Sequence, residues 1–169
     1  MKFFEKMMAL LLSLAAVLSF AMPAFAEEGL ATTAESTHTL TISFEKPGHE
    51  SVAYQVFKGD YFEDDNGDGH LSTISWGDGV NGETLLAALK AETNAGLATD
   101  FAKAETAENV ADVLAKYNND SVKLDAFAKV VAKYLNNTIA GTSPPEASVD
   151  KNGKYVYKIT GLSDGYYFV

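Results

Sequence analysis

Thr39-Leu40-Thr41-Ile42-Ser43-Phe44-Glu45-Lys46 is the stretch that decides the fold class. Leu40, Ile42 and Phe44 fall on one face and Thr41, Ser43 and Glu45 on the other, the two-residue period of a strand with one buried face. Pro47-Gly48 ends it. A second strand over 52–57 is richer in aromatic and β-branched residues. Residues 60–69, acidic and glycine-bearing, read as a loop, and 71–76 as a third short strand closed by Gly77-Asp78-Gly79.

The period then changes. From Asn81 to about Asn137 it is helical. Leu85, Leu86 and Leu89 form an apolar stripe behind Asn81, a natural N-cap. Thr106 caps a segment in which Val110, Val113, Leu114 and Tyr117 recur at helix spacing. Asp120 caps another with Leu124, Phe127, Val131 and Leu135, and Asn118-Asn119 marks the turn between the two. Each amphipathic helix must pack on something. Residues 138–150, with Pro144-Pro145, read as a loop. Strand chemistry returns at 154–160, where Tyr155, Tyr157 and Ile159 share a face, and again at 166–169 after a turn at 161–165. Strands, a helical insertion over about 81–137, then strands predict an antiparallel β-domain with helices gathered to one side, an α+β, mainly β pattern rather than alternating βαβ. The last strand is only four residues long at Val169, so the sequence reads as truncated there.

The start of the chain reads as an export signal. Lys2 and Lys6 precede an apolar run of about 14 residues, 7–20, and Pro23 precedes Ala24-Phe25-Ala26; basic, apolar and small-residue segments in that order form a secretory signal peptide over 1–26. The alternative, a membrane anchor, needs about 20 apolar residues. Residues 27–38 are small and polar, a flexible lead-in, and 39–169 form one domain. Contact with a membrane is expected through the signal peptide alone.

The whole chain of 169 residues carries a net charge of −10. Removing Lys2, Lys6 and Glu5 with the signal leaves 11 Lys against 22 acidic residues, a charge of −11. There is no arginine, and nucleic-acid binding needs a basic patch, so that role is excluded. There is no cysteine either. Stability must come from core burial, a metal or another covalent bond, and a cystine-free exported domain points towards a bacterial source.

Four constellations invite chemistry. Asp64, Asn66 and Asp68 stand at positions 1, 3 and 5 of an EF-hand-like loop, Gly69 at position 6 and Leu71 at position 8, a set of hard oxygens that suits calcium. Position 12 is Ser75, which supplies no carboxylate, and the flanks read as strands; the competing reading is a solvated acidic turn. Lys46 shares the parity of Leu40, Ile42 and Phe44. A strand continued to it would bury its amine and make it nucleophilic, a candidate for an intramolecular isopeptide bond with an Asn side chain. The competing reading lets it snorkel to water beside Pro47-Gly48. Trp76 with Tyr54 and Phe57 could stack on a sugar, though strand spacing favours a core role. His38, His49 and His70 lie in loops or strand starts without a hydrolase motif, so no enzyme is expected. The glycosylation-like triplets beginning at Asn119 and Asn136 carry little weight in a bacterial protein.

Three segments together resemble the N-terminal domain of fimbrial shaft proteins of Gram-positive bacteria, the sortase-assembled, isopeptide-forming pilins. They are Ala53-Tyr54-Gln55-Val56-Phe57-Lys58-Gly59, Leu71-Ser72-Thr73-Ile74-Ser75-Trp76-Gly77-Asp78-Gly79-Val80 and Gly161-Leu162-Ser163-Asp164-Gly165-Tyr166-Tyr167-Phe168-Val169. Two helical segments, Asn109-Val110-Ala111-Asp112-Val113-Leu114 and Ala126-Phe127-Ala128-Lys129-Val130-Val131, add to the likeness, which runs from about residue 39 to 169. The resemblance implies an Ig-like, pilin-type β-sandwich and a structural, non-catalytic role in a cell-wall-attached surface fibre. It implies as partners other pilin subunits and a sortase, reached through a C-terminal part that this sequence lacks. An LPxTG-type signal, an apolar span, a basic tail and a recognisable pilin-motif lysine are not seen in it. The reading from a different class is a secreted module that binds carbohydrate or a host protein, with calcium at the acidic loop as a stabiliser.

Overall fold

The computed structural model describes residues 37–67, 69–117 and 120–169. The expected signal peptide, nearly all of the lead-in, Asp68 and the Asn118-Asn119 turn lie outside them. Among the described residues no helix is long and apolar enough to cross a membrane.

Among the described residues, seven strands and four α-helices follow in order: β1 (His38–Phe44), β2 (Val52–Glu63), β3 (Gly69–Trp76), α1 (Gly82–Ala91), α2 (Leu97–Phe101), α3 (Ala107–Tyr117), α4 (Ser121–Val131), β4 (Gly141–Thr142), β5 (Ser148–Val149), β6 (Tyr155–Leu162) and β7 (Gly165–Phe168). They form two antiparallel sheets. One has the order β1-β6-β5; the other places β2 between β3 and β7, with β4 on the first residues of β2. The expected sandwich-like architecture with helices on one side is present.

Strand alternation divides the interior into two cores. On β7, Tyr166 and Phe168 pack on the helices while Tyr167 and Val169 pack towards the other sheet. The core between the sheets is small: Ala53, Ile159 and Leu162, flanked by Leu40 and Ile42. The core under the helices is larger and joins Val56 and Phe57 to Leu85, Leu89, Leu97, Phe101, Val110, Phe127 and Val131. Each such side chain contributes roughly 1.5–3 kcal/mol by leaving water, so most of the stability sits under the helical insertion.

An irregularity in β2 makes this division possible. Its pairing with β7 shifts between Gln55, opposite Tyr167, and Phe57, opposite Tyr166, so Val56 is an extra residue. The bulge re-aims the strand: Ala53 faces the second sheet, whereas the consecutive Val56 and Phe57 both enter the helix-side core. A second shift lies between Lys58 and Asp60, opposite Thr73, whose φ is +53°. Gly59 is required there, since a Cβ would stand 2.3 Å from the Ser72 carbonyl oxygen.

All three expected helix caps form. Asn81 Oδ1 accepts from Thr84 N–H at 3.2 Å, Thr106 Oγ1 from Asn109 N–H at 3.2 Å, and Asp120 Oδ1 from Lys123 N–H at 3.1 Å. The 52–57 strand runs on to Glu63, because the acidic segment 60–63 continues the ladder with β3. Three elements had no periodic signal. α2 is only five residues long, yet Leu97 and Phe101 are fully buried. The 138–150 loop contains β4 and β5, two residues each.

Gly82, the first residue of α1, lies against the indole of Trp76: a Cβ there would be 2.2 Å from Cγ. Gly82→Ala improves helix propensity by at most about 1 kcal/mol, while driving a methyl into a ring that is itself stacked on Phe57 at 5.3 Å. Overpacking of this kind costs about 1–3 kcal/mol. The expected outcome in urea denaturation is a net loss of stability for Gly82→Ala, against a loss of about 2–5 kcal/mol for Leu89→Ala.

Candidate functional site

The densest buried polar arrangement lies where β2 meets the β6–β7 turn. Gln55 Nε2 donates to the Asp164 carbonyl at 3.0 Å, to Ser163 Oγ at 3.1 Å and to Tyr167 Oη at 3.3 Å. Tyr167 Oη in turn donates to the Ser163 carbonyl at 2.7 Å. Burial pushes the Tyr167 phenol above its ordinary value, so it stays protonated and able to donate at neutral pH. Glycine is needed around this amide. A Cβ on Gly165 would lie 2.7 Å from Gln55 Nε2, and one on Gly77 or Gly79 would strike the Gln55 backbone. Asp164 extends the network outward: Oδ2 accepts from Tyr61 N–H at 3.1 Å and Oδ1 pairs with His38 Nε2.

A cleft of about 230 Å³ opens beside this network, bounded by Gln55, Asp78-Gly79, residues 138–140, residues 161–163 and Tyr167. Lys58 Nζ meets Asp78 Oδ1 at 3.0 Å near its rim, and Asn136 Nδ2 donates to the Asp78 carbonyl at 2.7 Å. Sequence periodicity places Gln55 on a strand but gives no sign that its amide is the hub. The signal that could have found it is a long polar residue at the parity of Ala53, facing three glycines.

The candidates expected from sequence are scattered. Lys46 does not face the core: β1 ends at Phe44, and Lys46 is exposed in the following bend. The reason is a clamp on that bend, in which Tyr157 Oη accepts from Gly48 N–H at 2.9 Å and His49 N–H at 3.2 Å while His49 stacks on Phe44 at 3.9 Å. The strand parity is broken before Lys46, and the exposed reading is the one realised.

Asp64 and Asn66 occupy the β2–β3 turn, far from that clamp. Asp64 Oδ1 accepts from Asn66 N–H at 2.9 Å, its carbonyl accepts from Gly67 N–H at 2.9 Å, and Oδ2 lies 3.2 Å from His70 Nε2. This is an Asx turn within a hairpin. Asp68, the third expected oxygen donor for calcium, lies outside the described residues. Among the described residues, no group of three or more His, Cys, Asp or Glu could hold a metal ion. Trp76, the other candidate platform, is partly buried on the helix-side core and stacked on Phe57. The three histidines are apart: His38 joins Asp164, His49 stacks on Phe44 and His70 on Phe62.

An ionic cluster that the sequence did not announce braces the helices. Lys123 Nζ lies 2.7 Å from Asp100 Oδ2, Tyr117 Oη donates to the same oxygen at 3.0 Å, and the ammonium stands 5.0 Å from the Tyr117 ring centroid. The Lys123 hydrogen bond holds the Asp100 carboxyl below its ordinary value, and that bond in turn raises the Lys123 amine. Burial pushes the Tyr117 phenol far up. An amide between Lys123 and Asp100 would need a neutral amine and a protonated acid; the surroundings favour the opposite forms, so the pair acts as a salt bridge.

Comparisons with protein-family models, with curated proteins and with solved structures give no match to this chain.

Two outcomes follow from these clusters. Gln55→Ala removes the amide that joins β2 to the β6–β7 turn and leaves buried partners unsatisfied, so chemical denaturation should show a loss of about 1–3 kcal/mol. For Asp100 the folded pKa is depressed, so its stabilisation is present above the ordinary value of 3.8 and is lost as pH falls through the folded value. Lys123 and Tyr117 are raised, so their contributions fade as pH rises beyond about 10. Wild type should therefore exceed Asp100→Asn by a constant margin from about pH 5 to 9, with the margin closing as pH falls below the ordinary value of 3.8. A pH series of urea midpoints reads this directly.

Proposed function

We infer that this chain is a structural, non-catalytic segment of a bacterial surface fibre, exported and attached to the cell wall as part of a longer pilin-like subunit. One observation carries the reading. The three segments that resemble fimbrial shaft proteins are separate in sequence but adjacent in space. Phe57 pairs with both Trp76 and Tyr166, Gln55 pairs with Tyr167, and Gly77 N–H donates to the Val56 carbonyl at 2.8 Å. Together they build the centre of one sheet and the seat of the helical insertion. The same arrangement supports an Ig-like, pilin-type sandwich as the finer description of the fold.

Two further features suit a load-bearing module. The chain is stabilised without cystines, through a large core under the helices and a second core between the sheets. Trp76, tucked between Phe57 and Gly82, serves that core and not a sugar-stacking face. The partners of this reading are other copies of the subunit and a transpeptidase of the sortase class.

Antibodies against residues 39–169 test the proposal on cell-wall extracts of the producing bacterium. Covalent fibres give a ladder of high-mass bands that survives boiling in detergent, together with filament labelling on intact cells. A single low-mass band confined to the culture medium would overturn the fibre reading.

A further inference from the structure

We propose that the cleft beside Gln55 binds a single neutral sugar ring, held through hydroxyl groups that donate to Gln55 Oε1. This goes beyond the fibre role and does not depend on it.

Gln55 is 7% exposed and is one of the few buried polar side chains of the fold. Its orientation is fixed, because Nε2 faces the Asp164 carbonyl, which only an N–H group can satisfy. Oε1 is therefore left with two acceptor positions. Among the described residues nothing donates to it, yet no buried side-chain oxygen lacks a partner. These facts agree if Oε1 is open to the cleft that Gln55 lines. An amide oxygen open to a cleft, on a side chain otherwise buried, can accept from a ligand hydroxyl in place of water.

The lining decides what kind of donor. Its hydroxyl groups, on Thr138, Ser163 and Tyr167, offer acceptor positions, and Thr138 a donor as well, which matches a ligand that bears hydroxyls. Ile139, Ala140 and Leu162 give an apolar wall for a C–H face. The sole charged side chain of the lining, Asp78, is already met by Lys58, so the cleft makes little demand for a cation. A volume of about 230 Å³ would hold roughly seven or eight waters, at about 30 Å³ each. That is room for one small ring rather than the extended ligand of a typical pocket. Nothing of this rests on Trp76, whose ring faces the other core.

Nuclear magnetic resonance on isotope-labelled 1–169 tests the site, because the Gln55 side-chain amide gives its own signal. The probes are glucose, galactose, mannose and N-acetylglucosamine, each also as its methyl glycoside. Binding should shift the Gln55 amide together with the backbone signals of Gly79, Thr138 to Ala140 and Gly161 to Ser163, saturably and for some of the sugars only. Shifts with the methyl glycosides as well identify a terminal residue of a glycan as the ligand; shifts with the reducing sugars alone identify the free monosaccharide. Gln55 variants also cut the inter-strand network, so the blocking variant is Ala140→Phe, which fills the cleft from its wall and leaves Nε2 untouched. It should keep the wild-type spectrum elsewhere and lose the sugar-induced shifts at least tenfold in affinity. The proposal fails if no sugar moves the Gln55 amide, or if Ala140→Phe retains wild-type affinity.

Discussion

The arrangement depends on one constraint: over residues 52–57, β2 is covered on both faces. A strand in that position must satisfy every polar group internally and present apolar side chains to two different neighbours. β2 does so with a bulge at Val56, which gives the helices two consecutive large side chains and leaves Ala53 and Gln55 for the other sheet. Gln55 is the exception to apolar burial, and its surroundings are built for it. Three glycines make way, and Ser163, Asp164 and Tyr167 receive its amide hydrogens. The β6–β7 turn is thereby tied to the middle of the opposite sheet, so the two sheets hold one another through a polar contact as well as a small apolar core.

Much of this was legible in the residues, because it was periodic. The alternation of Leu40, Ile42 and Phe44 and of Tyr155, Tyr157 and Ile159 predicted two strands that the structure pairs with each other, Ile42 opposite Tyr157 and Phe44 opposite Tyr155. Asn81, Thr106 and Asp120 announced their helices because capping needs only a short side chain at a fixed offset. What was missed has no period. α2 is too short to show one, and β4 and β5 exist only because neighbouring strands offer free hydrogen-bonding groups. Lys46 shows the opposite failure: the period was real, but a tyrosine more than 100 residues away ended the strand first. The candidate cleft was the least legible part, since its walls come from β2, the segments after β3 and α4, and the β6–β7 turn. No single stretch contains enough of it to signal a site.

The helical insertion is more than a cover. Its four helices return the chain to the sheet through Leu135, bridged to Val80, and through Asn136, which donates to the Asp78 carbonyl and receives no help from a regular element. The insertion leaves and re-enters the domain at one corner, and that corner is a wall of the cleft. Inside the layer, Asp100, Tyr117 and Lys123 join α2, α3 and α4 at a single carboxylate oxygen. Surface ion pairs are worth little alone, but this one fixes the shortest helix, whose two apolar side chains, Leu97 and Phe101, have no other regular structure to hold them in the core.

The pairing pattern also sets an order in time. β1 waits for β6, and Gln55 for Asp164, 109 positions further along the chain. β2 and β3 form a local hairpin and the helices follow directly, so these contacts can form while β1 and the β7-facing edge of β2 still wait for partners. A chain made from its N-terminus would thus carry two bare strand edges, on β1 and β2, for the time it takes to deliver roughly 100 more residues. Glu45, Lys46 and Glu50 place charge in the connection between those two strands. Charged residues beside unpaired strands are a protection against self-association, and here they stand where the delay is longest.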